Sequence, residues 1–326
     1  MIEGRRYQVT AKELAEEIIG GRRLKKGEDL SFFLEWDLED LCQGADAIRK
    51  AMIGDRVDLC SIINGKSGKC PEDCKYCAQS AHHATNCEVY DFLPKETILE
   101  ACKMHANAGV DRFAIVTAGK VLDAESFEKA IAVYEEMHRD CHIDLCASMG
   151  FLSREQLHRL HEAGVSSYHH NIETSERNFP NICTTHTYAQ KLETLRMVKE
   201  EGMWACSGGI IGMGETWEDR VDMALSLQEI GVDSIPINVL MPIPGTPLAH
   251  LEAITEDEIL RTIAMFRYCN PQAHIRLAAG RALMQQDGKK AFQAGASATI
   301  TGNMLTTVNC ANVESDKNML EKMGRR

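Results

Sequence analysis

At 326 residues, the chain is long enough for one large barrel or for two ordinary domains. Its formal net charge of −12 argues against a general nucleic-acid-binding protein, because phosphate contacts require clustered Lys and Arg. No apolar run approaches the ~20 residues of a membrane span, and the polar, basic first residues do not resemble a secretory signal. Composition therefore predicts a soluble, cytoplasmic protein that acts on small molecules, without nucleic-acid or membrane partners.

The predicted elements begin with two helical patterns, at residues 11–19 and 37–52, and we assign residues 1–54 to an N-terminal helical extension. From residue 57 onward, β-branched and apolar runs alternate with segments that carry apolar residues at i, i+3, i+4 and i+7. The predicted strands are residues 57–64, 112–118, 143–149, 166–171, 204–210, 234–240, 274–279 and 297–301. The predicted helices between them are residues 95–108, 124–138, 154–162, 188–201, 217–230 and 255–268.

This alternation of strands and helices predicts the fold class α/β, with a (β/α)8 TIM-type barrel and a C-terminal segment over residues 55–326. Glycines after several helices, at Gly109, Gly164 and Gly231, are typical of C-terminal caps that lead into the next strand. An open, doubly wound sheet is the alternative. Barrel enzymes place their chemistry at the C-terminal ends of the strands, so residues there are the first candidates for a site.

Cysteine is abundant, with thirteen residues in the chain. A disulfide framework is typical of small secreted domains, which this chain does not resemble, so the surplus indicates metal ligands or redox chemistry. Cys70, Cys74 and Cys77 form a CxxxCxxC motif directly after the first strand. Three thiolates at this spacing can hold one face of a [4Fe–4S] cluster and leave one iron open for a ligand. A zinc site is the alternative, although structural zinc usually has four ligands.

The motif, with an aromatic residue before its last cysteine, resembles the radical S-adenosylmethionine (SAM) superfamily. From about residue 55 to the end, the chain is similar to the biotin synthase family in particular. Six segments carry this likeness in the same order: NGKSGKCPEDCKYCAQ (64–79), YHHNIETS (168–175), CSGGIIGMGET (206–216), IN (237–238) with GTPL (245–248), RLAAGR (276–281) and LTT (305–307).

The resemblance implies an enzyme that inserts sulfur into dethiobiotin to make biotin. It implies a [4Fe–4S] cluster on Cys70, Cys74 and Cys77 that cleaves SAM, and an auxiliary iron–sulfur cluster that donates the sulfur. It also implies an electron donor such as flavodoxin or ferredoxin, and a homodimer. The cofactors carry the difficult chemistry, and the protein supplies their position and a dry cavity.

For the auxiliary cluster, the resemblance implies Cys146, Cys206 and Arg276 as ligands, but the cysteine expected on the second strand is replaced by Ala114. We expect Cys183, just past the fourth strand, to converge with Cys146 and Cys206 at one mouth of the barrel. The cluster is then a [2Fe–2S] or a four-iron type. Cys87 is a second candidate, and Arg276 has the alternative role of neutralising charge without binding iron.

The remaining cysteines are expected to be structural, because their helical or peripheral positions turn them away from the mouth. They are Cys42, Cys60, Cys102, Cys141, Cys269 and Cys310.

The resemblance also implies contacts to SAM and to dethiobiotin. Glu173 stands in place of an aspartate of the family and Lys191 in place of an arginine, and both are expected at SAM. The other expected SAM contacts are Tyr76, Gly208 and Gly209, and the expected dethiobiotin contacts are Asn171, Asn238, Thr306 and Thr307. An amide offers a urea both a donor and an acceptor, and a carboxylate accepts from ribose hydroxyls.

Two other functions remain open from the sequence. A related radical SAM enzyme, such as a hydrogenase-cluster maturase or an amino-acid mutase, would share the barrel and the first cluster. A non-catalytic iron–sulfur electron carrier would need no open iron and would not cleave SAM. The pairs Cys146 with Cys206 and Asn171 with Asn238, together with Arg276, favour sulfur insertion over a related radical SAM enzyme, and failure to cleave SAM would favour the electron carrier.

Overall fold

The computed structural model describes residues 9–302 and 312–326. Its strands are all parallel and belong to one sheet. In chain order they are β1 (Asp58–Lys66), β2 (Arg112–Thr117), β3 (Asp144–Ser148), β4 (Val165–His169), β5 (Trp204–Cys206), β6 (Gly209–Ile211), β7 (Ser234–Val239), β8 (His274–Leu277) and β9 (Ala298–Ile300).

The sheet closes on itself. Strand β1 pairs with both β2 and β9, and β5 pairs with β4 and with β7. Strands β5 and β6 are two halves of the fifth strand, separated by Ser207 and Gly208, so eight strand positions surround the barrel. The predicted (β/α)8 barrel is confirmed, and the open doubly wound sheet is excluded because a closed sheet has no edge strand.

The helices follow the predicted pattern. They are α1 (Ala11–Ile19), α2 (Phe32–Glu35), α3 (Leu38–Met52), α4 (Lys95–Asn107), α5 (Ala124–Asp140), α6 (Arg154–Glu162), α7 (Phe179–Ile182), α8 (Tyr188–Glu200), α9 (Trp217–Ile230), α10 (Glu256–Cys269), α11 (Lys289–Gln293) and α12 (Val313–Lys322). In residues 9–302 and 312–326, none of these helices has the length and apolar character needed to cross a membrane.

The N-terminal helices pack against the outside of the barrel at α10. The Tyr268 hydroxyl donates to the Ala11 carbonyl oxygen over 2.8 Å, and its ring meets Phe33 edge to face. Arg261 donates from Nη1 to the Phe33 carbonyl oxygen over 2.7 Å. The buried apolar residues of this extension join the same core cluster as those of the barrel. The division of the chain at residue 54 remains a prediction.

The last helix, α12, covers the barrel near the beginning of β1. A buried ion pair joins Arg281 Nη2 to Asp316 Oδ1 over 2.7 Å, and the Val57 amide donates to the Arg325 carbonyl oxygen over 3.1 Å. The end of the C-terminal segment therefore lies near the beginning of β1, whereas the cysteine motif follows the other end of that strand.

Candidate active site

The cysteine motif lies in a loop at the C-terminal end of β1, as predicted. The loop closes on itself because the Cys70 amide donates to the Gln79 carbonyl oxygen over 2.9 Å and the Cys77 amide donates to the Cys74 carbonyl oxygen over 3.0 Å. Cys70, Cys74 and Cys77 are all half-buried free thiols. Burial raises the pKa of Cys70, and it raises that of Cys77 to about 11. A metal must therefore displace protons to bind them.

The segment that follows α7 holds this loop from one side. The Asp73 carboxylate accepts a hydrogen bond from the Thr184 amide over 2.9 Å, and Lys75 donates its amide to the Ile182 carbonyl oxygen over 3.0 Å. Behind them, buried Glu72 pairs with His186. These contacts fix the loop against the barrel, so its three thiols are presented from a braced backbone.

Cys183 belongs to this segment, and the expectation that it joins Cys146 and Cys206 is corrected here. Its Sγ lies 3.6 Å from Sγ of Cys74, 3.1 Å from Asp73 Oδ1 and 3.3 Å from His186 Nδ1. The ligand atoms of Cys74, Cys183 and His186 all lie within 4.8 Å of one another. The physical reason is the fold-back of the segment onto the cysteine loop, which carries Cys183 to the first site instead of the inside of the barrel.

The expected SAM contacts gather beside the loop. The Lys191 ammonium nitrogen lies 3.8 Å from Glu173 Oε1, and the half-buried Tyr76 side chain lies beside the same carboxylate. Oε2 of Glu173 is buried and accepts no hydrogen bond from the residues that the structure describes. Glu173 also has φ of +72°, a left-handed conformation that is rare outside glycine and often found at functional sites. A buried carboxylate oxygen without a partner fits a ligand that brings hydroxyl groups.

A cavity of about 220 Å³ lies inside the barrel, and residues from all eight strand positions line it. Among them are Cys146, Cys206, Arg276, Asn171 and Asn238, all of which the sequence analysis assigned to the auxiliary cluster or to dethiobiotin. The structure brings these five together. Cys146 and Cys206 were expected at the C-terminal mouth of the barrel, but they lie deeper, along its inner wall. The reason is that each is the third residue of its short strand.

Gly208 and Gly209 connect the two asparagines. The Gly208 amide donates to Asn171 Oδ1 over 3.0 Å, and Asn238 Nδ2 donates to the Gly209 carbonyl oxygen over 3.1 Å. Asn238 Oδ1 in turn accepts from the Ala279 amide over 3.2 Å. Asn171 therefore has one hydrogen bond to the barrel and Asn238 has two, and these bonds hold both side-chain amides at the cavity wall.

Close packing alone explains why both of these positions require glycine. A Cβ atom on Gly208 would lie 2.0 Å from the Pro236 carbonyl oxygen, and one on Gly209 would lie 2.4 Å from the Glu173 carbonyl oxygen. Contact of these glycines with SAM remains a prediction.

We expect Gly208→Ala to lower the free energy of unfolding by about 3 kcal/mol or more, because the clash is with backbone that cannot move aside. Thermal and urea unfolding of the purified protein measure this change. Gly20→Ala is the matched control, since its added methyl meets nothing closer than 3.3 Å and its φ of −70° suits alanine. Equal stability of the two variants would contradict the packing argument.

Two arginines and one aspartate set the charge of the cavity. Arg276 Nη2 lies 2.5 Å from Asp58 Oδ1, and Arg112 Nε lies 3.0 Å from Asp58 Oδ2. Arg276 also donates from Nε to the Ser234 hydroxyl over 3.2 Å and from Nη1 to the Thr299 carbonyl oxygen over 3.3 Å. Burial alone would lower the pKa of Arg276, but the Asp58 carboxylate raises it above the ordinary value. The guanidinium is therefore charged and held from three directions.

His169 and Cys60 also line this cavity, although the sequence analysis gave neither a role there. His169 Nδ1 lies 3.4 Å from Cys206 Sγ, and burial, reinforced by Lys191 and Arg276, lowers the pKa of His169 to about 4. Its ring is neutral at pH 7. Cys60 is the third residue of β1 and is buried, which corrects the expectation that it turns away from the site. Ile62, two residues further along β1, lines the same cavity, and the alternation of side chains along a strand was the signal that Cys60 also points inward.

The other sequence candidates lie elsewhere. Cys87 lines a separate surface groove with Tyr90, and its Sγ lies 3.7 Å from the Ser67 hydroxyl. Thr306 and Thr307 fall outside the described residues, so their predicted contact with dethiobiotin is untested.

Comparison with known proteins agrees with this arrangement. Residues 66–227 match the Radical SAM superfamily, and residues 236–326 match the Biotin and Thiamin Synthesis associated domain. The chain is 60% identical to the biotin synthase of Alkaliphilus metalliredigens over 96% of this chain and 98% of that protein. It is 57% identical to the biotin synthase of Clostridium beijerinckii over 96% and 99%.

Solved structures with lower identity support the fold. Methylornithine synthase superposes with a TM-score of 0.83 at 20% identity, covering 96% of both chains. A maturase of the [FeFe]-hydrogenase superposes with a TM-score of 0.77 at 15% identity, covering 96% of this chain and 74% of that one. At these identities the likeness shows the barrel fold and not the reaction. The identities to curated relatives are far higher, and the chain belongs to the biotin synthase family of radical SAM enzymes.

Proposed function

We propose that this protein converts dethiobiotin to biotin by radical SAM chemistry and takes the sulfur from an auxiliary iron–sulfur cluster inside the barrel. One observation carries the proposal. A single cavity is lined by Cys146 and Cys206, which suit iron, and by Asn171 and Asn238, which suit a cyclic urea. An electron carrier has no need of such a ligand cavity, so that alternative is disfavoured.

The first cofactor would be a [4Fe–4S] cluster held by Cys70, Cys74 and Cys77. When bound and reduced, it supplies the electron that cleaves SAM to methionine and a 5′-deoxyadenosyl radical. The donor set fits, since three thiols on a braced loop leave one iron open. Cys183 would lie against Cys74 outside the cluster, where a thiol can donate a hydrogen bond to a ligated sulfur.

SAM would lie beside this cluster. Oε2 of Glu173 is suited to accept hydrogen bonds from the ribose hydroxyls, because it has no partner in the described part of the chain. Lys191, within 3.8 Å of the same carboxylate, offers a cation to the carboxylate of SAM. Tyr76 is half-buried next to Glu173 and offers a flat surface to the adenine.

Dethiobiotin would bind in the barrel cavity, against Asn171 and Asn238. Asn171 uses its Oδ1 on Gly208, so its Nδ2 is left to donate to the ureido carbonyl. Asn238 retains one Nδ2 hydrogen to donate to the ureido carbonyl oxygen and one Oδ1 lone pair to accept from a ureido N–H group. Thr306 and Thr307 are proposed to meet the carboxylate end of the substrate.

The overall reaction removes two hydrogen atoms from dethiobiotin and adds one sulfur. Each C–H bond needs one SAM and one electron, and the auxiliary cluster would supply the sulfide and take up the two electrons released when the two C–S bonds form. Cys146 and Cys206 would hold the cluster that provides this sulfide, and Arg276 would lie beside it. The enclosed barrel keeps water away from the carbon radicals. A flavodoxin or ferredoxin as donor, a homodimer and a cytoplasmic location belong to the same proposal.

The direct test is anaerobic incubation of the reconstituted protein with SAM, a reductant and dethiobiotin that carries deuterium at the two reacting carbons. We expect biotin, together with deuterium in the 5′-deoxyadenosine formed, both read by mass spectrometry. SAM cleavage without biotin and without deuterium transfer would instead favour another radical SAM reaction.

The role of Asn171 gives a separate prediction. Asn171→Asp keeps the oxygen that accepts from Gly208 but loses the amide donor, so the fold should persist while the KM for dethiobiotin rises. An unmet polar partner costs about 1–3 kcal/mol, which is roughly 5- to 150-fold in KM. Initial rates at varied dethiobiotin and at varied SAM measure both constants. The KM for SAM should stay the same. The control variant Asn107→Asp, at an exposed position on α4, should change neither KM value. An unchanged KM for dethiobiotin in Asn171→Asp would remove this residue from the substrate site.

A further inference from the structure

The cavity in the barrel contains a third thiol besides those of Cys146 and Cys206. Cys60 lines the same cavity as Cys146 and Cys206 and is buried on β1. It lies opposite Arg112 of β2 and Ile300 of β9 in the sheet register, and both of these residues also line the cavity. Cys60 therefore points into the barrel, although it is far along the chain from the other two.

Cys60 stands next to the place where a ligand is missing. Ala114 of β2, which lines the cavity with only a methyl group, pairs with Ile62 of β1 and with Cys146 of β3. Side chains two residues apart on a strand face the same way, so Cys60 occupies the inward position next to Ile62. A thiol lost from β2 is thus matched by a thiol gained on the adjacent strand.

The electrostatics around the three thiols suit an anionic cluster. Arg276 and Arg112 line the same cavity as the three thiols. Both guanidinium groups contact the Asp58 carboxylate, and Arg112 also pairs with Asp144, so two cations lie at the cavity wall beside the thiols. Thiolate-ligated clusters are anionic, and buried negative charge requires such a partner.

The spacing of the thiols argues against a single ion. Ligands of one tetrahedral zinc come within about 4 Å of one another, given Zn–S bonds of ≈ 2.3 Å. In the described residues, the one group of three ligand atoms that all lie within 4.8 Å is Cys74, Cys183 and His186. Cys60, Cys146 and Cys206 therefore do not all lie within 4.8 Å of one another, a wider spacing than one zinc ion requires.

We propose that Cys60, Cys146 and Cys206 are the three thiolate ligands of the auxiliary cluster, and that Arg276 acts as its counter-charge without binding iron. Hydrogen bonds to Asp58, Ser234 and Thr299 already orient the guanidinium. The inference rests on the proposed function, since it assigns the sulfur donor of that reaction. It moves the third ligand from the second strand to the first and removes Cys183 from the ligand set.

The test compares Cys60→Ala, Cys60→Ser, Cys183→Ala and Cys269→Ala with the unaltered protein after anaerobic reconstitution. Iron and acid-labile sulfide per chain and the Mössbauer spectrum are the readouts, and reductive SAM cleavage reports separately on the first cluster. Cys269 is the matched control, because it is a fully buried thiol on α10 that contacts the Met265 sulfur over 3.7 Å, outside the cavity. Cys60→Ser keeps the size of the side chain and guards against misfolding of the alanine variant.

Both Cys60 variants should fall to about four irons per chain while SAM cleavage persists, against about six or eight in the unaltered protein. Cys183→Ala and Cys269→Ala should retain the auxiliary signal. Full auxiliary iron in both Cys60 variants, or its loss in Cys183→Ala with SAM cleavage intact, would overturn the inference and leave the proposed function standing if biotin still forms. An unaltered protein with about four irons and no biotin would overturn both.

Discussion

Alanine in place of Cys70, Cys74 or Cys77 is expected to abolish reductive cleavage of SAM. Each of the three supplies a ligand of the proposed [4Fe–4S] cluster, and a two-thiolate remnant cannot hold it under reducing conditions. The site offers Cys183 beside Cys74, but this thiol is fixed by Asp73 and His186. We therefore expect no rescue. The measurement is 5′-deoxyadenosine formed per chain with dithionite and SAM, followed by chromatography.

The expected loss is to the background of a protein-free mixture, with or without dethiobiotin. Cys269→Ala, which removes a buried thiol from the outer helix α10, should cleave SAM at the rate of the unaltered protein. Retention of more than a few per cent of the cleavage rate in any of the three motif variants would contradict the assignment of the first cluster.

Alanine in place of Cys146 or Cys206 should abolish biotin formation and leave SAM cleavage in place. Both thiols line the inner cavity, whereas the first-cluster loop is braced separately by the segment around Thr184. The two sites share no ligand, so loss of one need not unload the other. Biotin and 5′-deoxyadenosine measured in the same reaction separate the two effects.

Iron analysis accompanies this second experiment. Each variant should retain about four irons per chain, the content of the first cluster alone. Biotin at more than a trace from either variant would show that the cavity thiols do not hold the sulfur donor. Loss of SAM cleavage together with biotin would show that the two sites depend on each other, against the geometry described above.

Most of the barrel could be predicted from local sequence signals. Helices α6 and α9 have the predicted bounds, because Ser153 and Thr216 form capping boxes at their first turns. Gly231 ends α9 in the left-handed conformation, with φ of +71°. The fifth strand was predicted as one run, but the ladder breaks at Ser207 and Gly208, where Gly208 packs on Pro236. That contact comes from a neighbouring strand and leaves no local signal.

For the candidate site too, some residues could be placed from the sequence and others could not. Strand position and the family likeness were enough to bring Asn171, Asn238, Cys146 and Cys206 to one cavity, since inward residues of neighbouring strands must meet. Cys183 was placed wrongly because its position depends on a fold-back to Asp73 and Glu72, more than a hundred residues away. Cys60 was missed because the site was expected at the C-terminal ends of the strands, whereas this inward residue lies near the start of β1.

The central claim is that the sulfur of biotin comes from a cluster inside this barrel. The most direct test is a single-turnover reaction of protein reconstituted with isotopically heavy sulfide, freed of unbound sulfide, and given SAM, reductant and dethiobiotin. The account predicts biotin that carries the heavy sulfur in the first turnover, and none from Cys146→Ala prepared in parallel. Biotin with light sulfur, or no biotin while SAM is cleaved, would contradict it.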